Sequence, residues 1–231
     1  MTDDFNKKVV SVFAKKDLLK SIFSEEHYLI KKELADCKSV LDLGCGHNSP
    51  IRYCTNLKYS VGVDICKRAI EISKKSKVHT KYLNKKIESI NFKPRSFDAV
   101  ILIGVLEHLK KEEGRDAISK AVSWSKRKVV ISVPNGFIPQ GKFDDNNKYQ
   151  IHLSSWNTNE LKNLGFRVRG ITGAKFMYRK GEFKGTSKYN LENLRFKPKP
   201  LAFVLNCLFQ IPIYFLPYCA QTLFAIKNTN Q

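Results

Sequence analysis

The chain has 231 residues, 42% of them apolar, enough for a sizeable core and too many for a disordered polymer. Lysine and arginine number 41 against 21 acids, a formal net charge of +20, which favours anionic partners such as nucleic acid, phosphorylated or lipid-linked substrates, or an anionic membrane surface. Lysines scattered singly or in pairs also suit plain solvation of every face. Six cysteines without a CxxC pair read as reduced thiols of a cytosolic protein, and the first thirty residues lack the unbroken apolar stretch of a secretory signal.

Residues 5–36 place apolar side chains at roughly helical spacing, from Val9 and Phe13 to Ile30 and Leu34, and Ser24-Glu25-Glu26-His27 is a start signal for a second helix. Residues 1–36 are expected to form helices that pack on a single domain, 37–231. Strands are predicted at 39–43, 60–64, 79–84, 98–104 and 127–133, the third of them weak. A helix or irregular turn covers 50–56, and helices cover 66–76, with Ala69, Ile70 and Ile72 inward, and 112–125. The near-continuous apolar character of 98–104 and 127–133 argues for burial on both faces, hence a parallel sheet flanked by helices.

After Pro134-Asn135-Gly136 the polar stretch 136–150 reads as a long loop. Trp156–Leu164 reads as a helix with Asn157 or Thr158 as N-cap and Gly165 as the stop, and Phe166–Ile171 as a strand. Residues 173–200 are basic and loop-like. Residues 201–226 carry no charge, but Asn206, Gln210, Gln221, Pro212 and Pro217 interrupt them. Three readings stand: a membrane span, an apolar surface that docks on lipid, and a buried helix followed by a turn and a closing strand at Thr222–Lys227. The insertion at about 173–220 is thus basic, then apolar.

The chemistry sits at residues 39–64. Val40-Leu-Asp-Leu43 stops at Gly44 and Gly46, and Val61-Gly-Val63 ends at Asp64. A glycine turn lets backbone approach a nucleoside, and a carboxylate at the tip of the next strand can accept both ribose hydroxyls. The turn Gly44-Cys-Gly46-His-Asn-Ser49 lacks the third glycine of a dinucleotide site, and Pro50 interrupts helix entry, so a ligand without a pyrophosphate fits better than a nicotinamide.

Val40-Leu-Asp-Leu-Gly-Cys-Gly46 resembles the first motif of class I S-adenosylmethionine-dependent methyltransferases, and Val61-Gly-Val-Asp64 resembles their ribose-binding motif. Ser96-Phe-Asp-Ala-Val100 with Val105-Leu-Glu-His-Leu109 is similar to their fourth-strand motif, and Val130-Ile-Ser-Val-Pro-Asn-Gly136 to the fifth strand and its turn. Tyr149-Gln-Ile-His-Leu-Ser-Ser-Trp156 is similar to a block of the small type 11-like subgroup. The resemblance implies a Rossmann-like, seven-stranded, mostly parallel α/β sheet with flanking helices and an antiparallel last strand. It implies S-adenosyl-L-methionine as cofactor. Asp42 would hold the turn and the methionine amino group, and Gly44, Cys45 and Gly46 would lie against the methionyl and ribose parts. Asp64 would take the ribose, Ile65 would pack on adenine, and Gly104 and Val105 would sit beside the methionine moiety. Lys86 stands where an adenine-edge acid is usual, which leaves the backbone of Ile87, or Glu88, for that edge.

A hydroxyl acceptor gains from a general base, so His108 after the fourth strand and His152 on the later loop are the catalytic candidates, each with a purely structural alternative. His47 reads as a cofactor-side contact. Glu107 has no clear ligand cluster around it, so no metal is expected. Phe137, Tyr149 and Trp156 are candidates for an acceptor pocket or for the core. The expected activity is O-methylation of a small or conjugated, glycan- or lipid-type acceptor by a cytoplasmic enzyme with peripheral contact to an anionic membrane. RNA methylation and a non-catalytic cofactor-binding adapter are the alternatives, nucleic acid being less favoured because no RNA-binding module is evident.

Overall fold

The structure is a computed structural model and describes residues 26–138, 148–179 and 193–230. Strands β1 (Ser39–Leu43), β2 (Tyr59–Asp64), β3 (Lys81–Asn84), β4 (Phe97–Ile103) and β5 (Ser125–Pro134) are parallel. β7 (Ala220–Asn228) lies between β5 and β6 (Arg167–Ala174) and is antiparallel to both. The seven strands form one sheet in the order β3-β2-β1-β4-β5-β7-β6. This is the expected Rossmann-like α/β sheet, and Thr222–Lys227 lies within its antiparallel strand.

Two packed layers explain why the inner strands read as apolar runs. Leu41, Leu43, Val100, Leu102 and Ile131 face one side and meet Ala117, Ile118 and Ala121 of the helix α3 (Lys111–Trp124). Val40, Ala99, Ile101 and Val130 face the other and meet Leu29, Ile30 and Leu34 at the helix α1 (Glu26–Glu33). Alternate residues go to opposite faces, and both faces are covered, so no polar alternation survives. Residues 1–25, where most of the predicted N-terminal helix falls, lie outside the described residues, as do 139–147 of the predicted loop.

Several boundaries differ from the sequence reading. The helix α2 (Lys67–Lys75) buries Ile70, but Ile72 is exposed. Trp156 is not helical; it bridges to Asn135, and the helix α4 (Thr158–Asn163) starts after Asn157, whose side chain and that of Glu160 form a reciprocal cap. The stretch read as a loop from 173 opens instead with the last residues of β6. A long helix, α5 (Lys199–Phe215), follows Pro198 and contains Pro212, which does not end it.

α5 buries Ala202, Phe203 and Ile213 together with two amides. Its inward positions include Asn206 and Gln210, both buried. Gly173 N–H donates to Gln210 Oε1 at 2.8 Å and Ala174 N–H to Asn206 Oδ1 at 3.1 Å, while Gln210 Nε2 donates to Gly170 O at 3.0 Å. β6 is an edge strand, and these two amides occupy backbone groups that a further strand would otherwise take. The residues that interrupt an apolar run in the sequence are therefore what pins the helix to the sheet. Among the described residues no helix is long and apolar enough to cross a membrane.

Candidate active site

A cleft of about 390 Å³ opens at the carboxyl ends of β1, β2 and β4, where an open parallel sheet of this kind binds ligands. Its floor is the turn after β1. Gly44 has φ +69, and a Cβ there would lie 2.5 Å from Val105 Cγ2, so glycine is needed for the close approach of the two loops. Gly46 has φ +54 with open space where a Cβ would stand, so its bare backbone faces the cleft. Gly44 and Cys45 N–H donate to Val63 O at 2.8 and 2.9 Å, which fixes the turn to β2.

Asp64 closes the second wall. One carboxylate oxygen accepts from Gly46 N–H at 2.8 Å and the other from Cys66 N–H at 2.7 Å, so one side chain sets the spacing of two loops. Burial raises its pKa, against the lowering effect of those two bonds. Ile65, Lys86, Ile87 and Glu88 line the cleft on this side, and Gly104, Val105 and His108 line it opposite.

Two residues of the sequence reading lie behind the cleft. Asp42 is buried and accepts from Ser49 Oγ at 2.5 Å, with His79 Nε2 at 3.0 Å. It ties the β1 turn to the entry of β3, and it does not line the cleft. Cys45 is buried, with its sulfur against Gly62 beside the His79 ring, and burial pushes the thiol far above its usual range. His79 was not singled out from the sequence. It lies 37 positions from Asp42, and the bare Cα of Gly62, 3.0 Å from the ring at its Cβ position, was the one local hint of space for it.

The far wall is a turn joined to a loop. Leu153 and Ser154 N–H donate to Glu107 O at 2.7 and 3.1 Å, and Ser154 Oγ donates to Leu106 O at 2.9 Å. Trp156 Nε1 donates to Ser154 Oγ at 3.1 Å, and its ring is fully buried, so Trp156 is core and not acceptor wall. Tyr149, Gln150 and Leu153 line the cleft; Phe137 is exposed. This docking brings His152 to His108, ring centroids 4.9 Å apart, although 44 positions separate them. His152 itself does not line the cleft.

Each imidazole presents Nδ1 to a backbone carbonyl: His108 to Ile151 O at 3.3 Å and His152 to Ile138 O at 2.6 Å. Burial, with the neighbouring His152, pushes His108 down to about 4, and burial lowers His152 as well. Burial thus disfavours the charged form of both rings, and a carbonyl opposite Nδ1 favours the tautomer with its proton on that nitrogen. Glu107, beside them, is buried, and burial raises its carboxyl to about 8, with the charge of Glu26 adding to the effect.

Residues 41–131 match a family model described as a methyltransferase domain. Among solved structures, the chain is similar to a SAM-dependent methyltransferase from Archaeoglobus fulgidus, at 20% identity and TM-score 0.52, covering 91% of this chain and 98% of that one. It is also similar to the plantazolicin methyltransferase BpumL, solved with a monoazolic desmethylPZN analog and SAH, at 16% identity and TM-score 0.54, covering 100% and 92%. No curated protein matches the sequence.

Proposed function

We propose that this chain, which is a class I S-adenosylmethionine-dependent methyltransferase, methylates a hydroxyl of a small or conjugated acceptor of glycan or lipid type. The cofactor reading is supported by the bare backbone at Gly46, the paired oxygens of Asp64 and a cleft of nucleoside size. When bound, the sulfonium supplies an electrophilic methyl group. Asp64 holds the ribose, Ile65 and Ile87 hold the adenine, and Gly44, Gly46, Gly104 and Val105 shape the methionine end. Asp42 and Cys45 act from behind, by fixing the turn. His108 faces the acceptor side of the cleft, with the His152 ring packed against it.

The observation that carries the lipid-type acceptor is the outer face of α5. Leu201, Leu205, Leu208 and Phe215 are exposed on it, with Phe209 and Ile211 beside them, while the amides turn inward. An apolar stripe that the protein leaves in water favours a surface contact. Arg195, Lys197 and Lys199 stand at the helix start, which matches an anionic lipid surface.

The test is a transfer assay with methyl-labelled S-adenosylmethionine and fractionated cell material. Label in a lipid- or glycan-conjugate fraction, stable to mild base as an ether is, is the expected result. Label confined to RNA would replace this acceptor with the nucleic-acid one.

A further inference from the structure

We propose that Glu107, His108 and His152 form a binding site for a divalent first-row transition ion, of the zinc type, at the acceptor side of the cleft. One ligand atom from each lies within 4.8 Å of the other two. The turn Leu106–His108 supplies two ligands, and the loop hydrogen-bonded to that turn supplies the third.

Two further observations point to a cation. Glu107 Oε2 is buried and has no hydrogen-bond partner among the described residues, which is costly for a carboxylate unless something completes it. Both histidines donate Nδ1–H to backbone carbonyls, the outer-shell arrangement that orients a ligating ring and leaves Nε2 for the ion. Two imidazole nitrogens and one carboxylate oxygen suit zinc and its first-row neighbours better than magnesium or calcium, whose shells are built from oxygen.

Three protein ligands leave a coordination position open, and His108 lines the cofactor cleft, so that position is reached from the acceptor side. The use of the ion rests on the hydroxyl-acceptor reading above; its binding does not. A hydroxyl at the open position loses its proton to solvent more readily. Its oxygen then gains the methyl as the sulfur–methyl bond breaks, and the sulfonium becomes a neutral thioether.

The experiment is a Co2+ titration of the full chain after chelator treatment, followed by visible absorption, with a parallel S-adenosylhomocysteine titration by calorimetry. One Co2+ per chain is expected, with no thiolate charge-transfer band, which separates this site from the six cysteines. Glu107→Gln and His152→Gln should each weaken Co2+ binding by about tenfold or more. Should either variant lose its fold by circular dichroism, selective broadening of the His108 and His152 ring resonances by Co2+ in the unaltered protein decides the matter. No bound Co2+, binding through thiolate, or equal affinity in folded variants would overturn the site. S-adenosylhomocysteine binding retained in that case leaves the methyltransferase reading standing, whereas its absence would count against that reading alone.

Discussion

The two ends of the sheet place their polar side chains by opposite rules. Around β1, β2 and β4, a carboxylate is gathered at the strand ends and keeps contact with open space: Asp64 holds two loops and still faces the cleft. At β6 and α5, Asn206 and Gln210 are turned inward and consumed by backbone groups, while leucines face water. The first end is arranged to meet a small polar ligand. The second is arranged to stay folded while offering an apolar face. Polarity alone does not mark function; what matters is whether a polar group's hydrogen-bonding capacity is already spent.

Substitutions can break this contrast, and the largest effect belongs to the cleft. Asp64→Asn replaces an acceptor by a donor opposite one of two N–H groups, so S-adenosylhomocysteine affinity by calorimetry should fall about 100-fold. Unchanged affinity would mean that the cleft is not organised by Asp64. Asn206→Ala strips the Ala174 N–H and the Tyr178 hydroxyl of a buried partner and should cost about 1–3 kcal/mol by denaturant unfolding. Cofactor affinity should not move in that variant; a parallel loss would show that the two ends are coupled.

A pH series sharpens the comparison at the acceptor wall. Folded Glu107 keeps a proton between 4.5 and about 8 that the unfolded chain has lost, so its contribution falls as pH rises through that window. Folded His108 lacks a proton between about 4 and 6.5 that the unfolded chain holds, and its contribution rises with pH; His152 has the same sign. The slopes oppose below 6.5, and above it Glu107 acts alone. Melting temperature in chelator should therefore fall from pH 6.5 to 8, by at most about 1.4 kcal/mol per pH unit in stability, and Glu107→Gln should flatten that segment. The smallest effect on folding is expected from Leu208→Glu on the α5 stripe, within about 0.5 kcal/mol of the parent because the side chain is exposed. The same change should abolish flotation with anionic liposomes, and flotation that persists would dismiss the stripe as a lipid contact.

Legibility followed the same division. β1, β2, β4 and β5 could be read because strands covered on both faces are apolar throughout, and Gly44, Gly46 and Asp64 because their spacing reflects a local turn. The convergence of Glu107 and His108 with His152 could not be read. It depends on backbone bonds from Leu153 and Ser154 to Glu107, and spacing along the chain carries no trace of them. α5 was obscured for another reason. Its inward face mixes the amides Asn206 and Gln210 with Ala202, Phe203 and Ile213, and its outward face carries leucines, so no polar stripe marks it as an amphipathic helix. Pro198 and Pro200 were its start signal, hidden in a stretch taken for loop.

The place of β7 has a consequence for how the protein is made. The last strand in chain order is not at a margin; it sits between β5 and β6. On the ribosome, β1 to β5 and the cofactor cleft can be assembled while the flank of β5 from Val129 to Val133 still waits for its neighbour. β6 and α5 have no sheet to join until Ala220 to Asn228 have emerged. During that interval the nascent chain exposes both an unpaired strand flank and a leucine-rich helix, the kind of surface a chaperone holds. A premature stop before Ala220 would thus strand two elements rather than remove one.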